Sequence, residues 1–187
     1  MYKIVLNDDE IREAQQFADE VVSTVSSYYR DRGQSNIDNI KKQTFIGKLG
    51  EYGARSWLLL QGYQCSDINL TVTYNKTFDA DLILNNGIKC HVKSQDLESA
   101  NRFGISWTFQ FSGQGGGHRD KEIFDNYDLE DRVVFCLVQS PVVYICAQVY
   151  VSQLHEMSLF GLPKKESLRG IKKVVYYDSI PEQLRVK

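Results

Sequence analysis

Two short segments of this chain carry residue types that can handle a metal ion and a phosphate. Asp79 and Asp81 are two apart in the first, and Lys89, His91 and Lys93 are spaced the same way in the second. Side chains of a strand alternate between its faces, so each set shares one side of an extended segment. Phe78, Ala80, Leu82 and Leu84 take the other side of the first segment, and Ile88, Cys90 and Val92 that of the second. Between them lies Asn85-Asn86-Gly87, a hairpin signal. A two-residue loop Asn86-Gly87 would set apolar residues against polar ones in both strands. A three-residue loop with Gly87 left-handed instead pairs Leu84 with Ile88, Leu82 with Cys90, Asp81 with His91 and Asp79 with Lys93. A one-residue slip would invert a buried face, so register follows the hydrophobic pattern and the three-residue loop is expected.

The chemistry open to such a cluster is that of a divalent cation. Carboxylates and a neutral imidazole both ligate one, and Mg²⁺ in particular favours oxygen, keeps several waters and binds phosphate directly. A bound ion also lowers the pKa of an attacking water. A protonated lysine cannot ligate, but it can orient a hydroxide or stabilise charge developing on a phosphate. Glu51 offers a further carboxylate from a helix upstream, on a face that parity does not fix relative to the hairpin. The plainer account of the same pattern is a cross-strand Asp/Lys pair on a solvated hairpin face, worth only ~0.2–1 kcal/mol.

The elements that must position these residues are read from periodicity. Residues 8–30 are expected to form a helix, with Ile11, Phe17, Ala18, Val21, Val22 and Val25 recurring at three and four and Asp8 or Asp9 as cap. A polar connection follows, then a second helix over residues 45–60, with Ile46, Leu49, Ala54, Trp57 and Leu58 as its stripe. Gly47, Gly50 and Gly53 lie inside it; each costs about 1 kcal/mol of propensity relative to Ala, and such glycines permit close packing on a sheet. Strands are expected over 70–74, 78–84, 88–93, 133–138, 142–149 and 174–177, with a short helix over 151–160. Trp107, Phe109 and Phe111 alternate like a strand, which suits core packing or, as a second account, base stacking. Interleaved helices and strands with no long linker indicate one domain, α/β or α+β.

Composition agrees with a folded chain. Of 187 residues, 42% are apolar and 25% charged, and the net charge of −2 argues against a protein that coats DNA. It leaves room for a local basic cleft, because metal ions offset carboxylates at a phosphate site. Cys65, Cys90, Cys136 and Cys146 form no Cys-x-x-Cys pair, and three lie in apolar runs, as buried free thiols of a reducing compartment would. No signal peptide and no run long enough to span a bilayer is visible, so a cytoplasmic location without membrane partners is expected.

Three segments together resemble the PD-(D/E)XK nuclease superfamily, the restriction-endonuclease-like fold. They are Phe45-Ile46-Gly47-Lys48-Leu49-Gly50-Glu51-Tyr52-Gly53, Phe78-Asp79-Ala80-Asp81, and His91-Val92-Lys93-Ser94-Gln95. The resemblance implies an α/β domain with a central mixed β-sheet flanked by helices. It implies Asp81 as the metal-bridging aspartate, Lys93 as the catalytic lysine, Glu51 as the helix glutamate and Val92 as donor of a carbonyl. Gln95 matches a polar residue common just beyond the lysine. Residue 91 departs from the pattern, being His where relatives have Asp or Glu. That removes one negative charge and shifts preference from Mg²⁺ toward Mn²⁺, unless Asp79 makes up the charge. Otherwise His91 is a general base, or activity is attenuated.

The function so implied is metal-dependent hydrolysis of DNA phosphodiester bonds, most simply by a type II restriction-like endonuclease working as a homodimer. The alternatives are a Holliday-junction or other structure-specific nuclease, RNA cleavage, and a catalytically inactive DNA-binding or structural protein of the same fold. Nucleic-acid contacts are sought in Gln95, in Arg102, and in His118 and Arg119, which follow the glycine cluster 113–117. Lys121 and Arg132 are phosphate contacts or plain surface residues. No Gly-Lys-Ser/Thr follows the glycines, so no nucleotide cofactor is expected. His155 is read as structural.

Overall fold

The computed structural model describes residues 1–31, 36–73, 79–111 and 126–187. The chain opens on β1 (Tyr2–Val5), of whose residues only Ile4 is buried, so no apolar pattern announces it. Helix α1 (Asp8–Asp31) follows. Its cap is Asn7 rather than Asp8 or Asp9. The Asn7 side chain accepts from the N–H groups of Asp9 and Glu10 at 2.9 Å each, and the Glu10 carboxylate accepts from the Asn7 N–H at 2.9 Å. This reciprocal box satisfies donors that a helix start leaves open. Helix α2 (Ile37–Leu60) begins earlier than residue 45 because Asn36 caps it, accepting from the Asn39 N–H at 2.9 Å.

The remaining elements are β2 (Leu82–Ile83), β3 (Lys89–Asp96), α3 (Leu97–Phe103), β4 (Ser106–Gln110), β5 (Arg132–Gln139), β6 (Val142–Tyr150), α4 (Val151–Glu156), β7 (Phe160–Gly161) and β8 (Lys172–Tyr176). Two expectations fail here. Residues 70–73 form no strand, and the first hairpin strand is cut to two residues. Phe78 lies outside the described residues.

Five strands form a central mixed sheet in the order β1-β6-β5-β3-β2. Among the described residues only the β3–β5 pair is parallel, and its crossover includes α3. Helices α1 and α2 cover one face, where Leu49, Ala54, Trp57 and Leu58 meet Cys90, Val134, Cys136 and Val143. The other face carries a second sheet, β4-β8-β7, with Trp107 and Phe109 packed on Phe135. The expected helix-flanked mixed sheet is therefore present, but helices α1 and α2 take one side and a small antiparallel sheet takes much of the other. Trp107 and Phe109 are core residues, and the Trp107 indole donates to the Cys136 carbonyl at 2.8 Å. All four cysteines are free, and Cys90, Cys136 and Cys146 are buried. No helix among the described residues is long and apolar enough to cross a membrane.

Candidate active site

The hairpin has the register that its hydrophobic pattern requires. Leu82 pairs with Cys90 and Ile83 with Lys89; the Leu84 N–H donates to the Ile88 carbonyl at 2.9 Å, and Gly87 has φ 82°. The ladder ends at Leu82, so Asp81 is freed from strand pairing and its side chain takes up the edge. The Asp81 carboxylate accepts from the Val92 N–H at 2.6 Å, a short, charge-assisted bond. N–H and C=O of one strand residue point to the same edge, so the Val92 carbonyl is directed to the side on which Asp81 sits.

Glu51 reaches this region from α2. It is 9% exposed, and its pKa is pushed up to about 8, first by burial and then by the negative charge of Asp81. Lys48 opposes this, with its ammonium 2.5 Å from Glu51 Oε2 and also donating to the Asn69 carbonyl at 2.9 Å. The Lys48 Nζ also lies 4.5 Å from the ring centroid of Phe17 on α1. Residues three apart on a helix share a face, so the spacing of Lys48 and Glu51 is itself a signal for this pair.

What brings α2 close is its glycines. A Cβ on Gly50 would lie 1.8 Å from Ser94 Oγ, and one on Gly53 would lie 2.5 Å from Val143 Cγ1, whereas Gly47 has nothing within 4 Å. Two of the three glycines are thus contact points of helix on sheet.

His91 and Lys93 project from the opposite face of β3, away from α2, as their pairing with Val133 and Phe135 of the second core requires. His91 is 1% exposed. Its Nε2 lies 2.9 Å from Asp131 Oδ2, and its ring stacks on Tyr127 with centroids 3.5 Å apart and planes 7° apart. Burial holds its pKa below the ordinary imidazole value, outweighing the pull of Asp131. The imidazole is engaged by Asp131 and Tyr127, and it also feels the charges of Asp81 and Lys93. Lys93 is half-buried, its Nζ 5.1 Å from the Phe109 ring and 5.7 Å from that of Tyr127. Asp79 is exposed, and its charge is felt at Lys89, which also pairs with Asp128 at 3.1 Å.

Gln95 is spent on scaffolding: its Oε1 accepts from the Ser106 N–H at 2.8 Å and its Nε2 donates to the Gly104 carbonyl at 3.1 Å. Arg102 is exposed and pairs with Glu98 at 2.7 Å. Arg132, expected at the surface, is 9% exposed and stacks over Tyr63 and Tyr150, 4.8 and 5.2 Å from their centroids. His155 is half-buried beside Phe160. His118, Arg119 and Lys121 lie outside the described residues.

Asp81 is thus bonded to the Val92 N–H and close enough to Glu51 for its charge to be felt there, while Lys93 projects from the other face of β3. Among the described residues no group of three His, Cys, Asp or Glu is arranged to hold a metal ion. Asp81 and Glu51 offer hard oxygens, and the part of the Glu51 shift that comes from Asp81, smaller than that from burial, is the kind a cation would relieve. No family model matches the chain, nor does any curated protein or solved structure.

Proposed function

We propose that this chain is a metal-dependent nuclease that hydrolyses DNA phosphodiester bonds on a restriction-endonuclease-like fold. The observation that carries the reading is the Asp81 carboxylate seated on the Val92 N–H, with Glu51 close enough to feel its charge and Lys93 one residue further along β3. The order of elements supports it: a helix bearing Glu51, a hairpin bearing Asp81 and Lys93, then a crossover to a parallel strand.

Asp81, Glu51 and the Val92 carbonyl would hold Mg²⁺, or Mn²⁺ in its place. When bound, such an ion polarises a phosphate oxygen and acidifies a water. The Val92 N–H fixes one Asp81 oxygen and leaves the other for a cation. Lys48 holds Glu51 in position from within the protein. Lys93 keeps an ammonium at the edge of the site, where it steadies a hydroxide or the charge developing on phosphate. The type II restriction-like reading, with a homodimer cutting both strands, is the simplest form of the proposal.

A panel of supercoiled, linear and branched DNA, with RNA alongside, with and without Mg²⁺ or Mn²⁺, tests it. Product is expected on DNA with metal only; preferential cutting of branched DNA regardless of sequence would instead identify a junction nuclease. Lys93→Ala should abolish cleavage while folding and DNA binding persist, and unchanged cleavage would remove Lys93 from the mechanism. Asp81→Asn should weaken Mn²⁺ binding in calorimetry. One feature favours a second reading, a DNA-binding protein without catalysis: the acidic-ligand position is His91, held by Asp131. That reading requires DNA binding with no metal-dependent product at any protein concentration.

A further inference from the structure

We propose that His91, standing where the nuclease pattern has an acidic ligand, is a positioning residue that acts through Tyr127 to hold Lys93. The role given to Lys93 rests on the nuclease reading; the arrangement of side chains does not.

Asp131 begins the chain of contacts. It is buried, and its Oδ2 accepts the Asp128 N–H at 3.0 Å as well as facing His91 Nε2 at 2.9 Å. The hydrogen bond between His91 Nε2 and Asp131 fixes the imidazole plane. That fixed plane is what Tyr127 stacks on, nearly parallel at 3.5 Å. Tyr127 lies in the segment before β5, outside any strand or α-helix, and packs against the second core with one ring face covered by His91. The Lys93 ammonium then sits near two rings, Tyr127 at 5.7 Å and Phe109 at 5.1 Å. Phe109 is fully buried and packed edge-on against Phe135 and Phe160. Both rings near the cation pack on the second core, and that of Tyr127 is further held by its stack on His91. Cations near aromatic faces are attracted by the ring quadrupole, which favours one place for the ammonium among the many that a flexible lysine stem allows. On this account the loss of an acidic ligand at residue 91 is not a defect of the site; the residue serves the lysine two positions on.

The test uses the full chain, with lysines reductively ¹³C-dimethylated for NMR, Mn²⁺ calorimetry, and steady-state cleavage. The Lys93 methyl signal, assigned by its loss in Lys93→Arg, should be shifted upfield by the rings. It should stay there in Tyr127→Phe, which keeps the ring, and move toward the free-lysine position in Tyr127→Leu and His91→Gln. Those two variants should keep Mn²⁺ affinity within about twofold and an unchanged KM for DNA, while kcat falls about tenfold or more, as misplacement of a catalytic group does. A Lys93 signal unmoved in both variants overturns the proposal, as does a tenfold loss of Mn²⁺ affinity in His91→Gln, which would make His91 a ligand. If the wild-type chain cuts no nucleic acid, the nuclease reading falls, and the NMR arm still decides whether His91 and Tyr127 place the ammonium. Should His91→Gln fail to fold, the contrast of Tyr127→Phe with Tyr127→Leu carries the test.

Discussion

Replacing Gly50 by Ala puts a methyl group where the helix and sheet already touch. Its carbon would lie 1.8 Å from Ser94 Oγ, 2.9 Å from Ser94 Cβ and 3.6 Å from Cys136 Cβ. The Ser94 hydroxyl can rotate away, but its Cβ is fixed to β3, so α2 itself must lift. Ala in place of Gly contributes about 1 kcal/mol of helix propensity. Overpacking a well-filled core costs about 1–3 kcal/mol, and contacts this short belong at the upper end. The net is a loss of about 2 kcal/mol. Gly47→Ala meets nothing within 4 Å and keeps the propensity gain, so the two substitutions should differ by roughly 3 kcal/mol. Urea denaturation monitored by tryptophan fluorescence measures this, read from midpoints at constant slope. Ser94→Gly should rescue Gly50→Ala, since it removes both clashing atoms; Ser94→Ala should rescue only in part. If Gly50→Ala proved as stable as Gly47→Ala, the close approach of α2 to β3 would be wrong, and with it the placement of Glu51, the next residue.

The other expectations concern charge and caps. Glu51 has its folded pKa raised to about 8 from 4.5, so the folded state holds a proton that the unfolded chain releases; stability is greatest below the unfolded value and falls as pH rises to about 8. Glu51→Gln should remove this decline, which amounts to at most about 1.4 kcal/mol per pH unit in that window; denaturation midpoints from pH 4 to 9 would show it, and parallel curves for the two proteins would contradict it. The same proton must leave before Glu51 can ligate, so Mn²⁺ affinity should rise with pH up to about 8, as calorimetry would record. Asn7→Ala removes the acceptor for two N–H groups at the start of α1 and should cost about 1 kcal/mol in thermal or urea unfolding, with no change in metal affinity.

The sequence by itself determined what nearest neighbours and alternation control. Asn85-Asn86-Gly87 and the apolar residues flanking it set the hairpin register, because any other register would bury charge. The glycines of α2 announced a close helix–sheet contact, and the runs around residues 133–149 are strands because β-branched residues fill a sheet buried on both faces. Tertiary structure alone decided which polar groups meet. Asp131 is forty residues from His91, and no local pattern joins them; the parallel β3–β5 pair brings them together. Parity placed His91 and Lys93 on one face, and the charge of Asp81 reaches His91, but alternation could not foresee that the Asp81 carboxylate, beyond the end of β2, is bonded to the Val92 backbone. The expected strand over 70–74 is absent over 70–73 for a related reason: alternation permits a strand, but only a neighbouring sheet edge makes one.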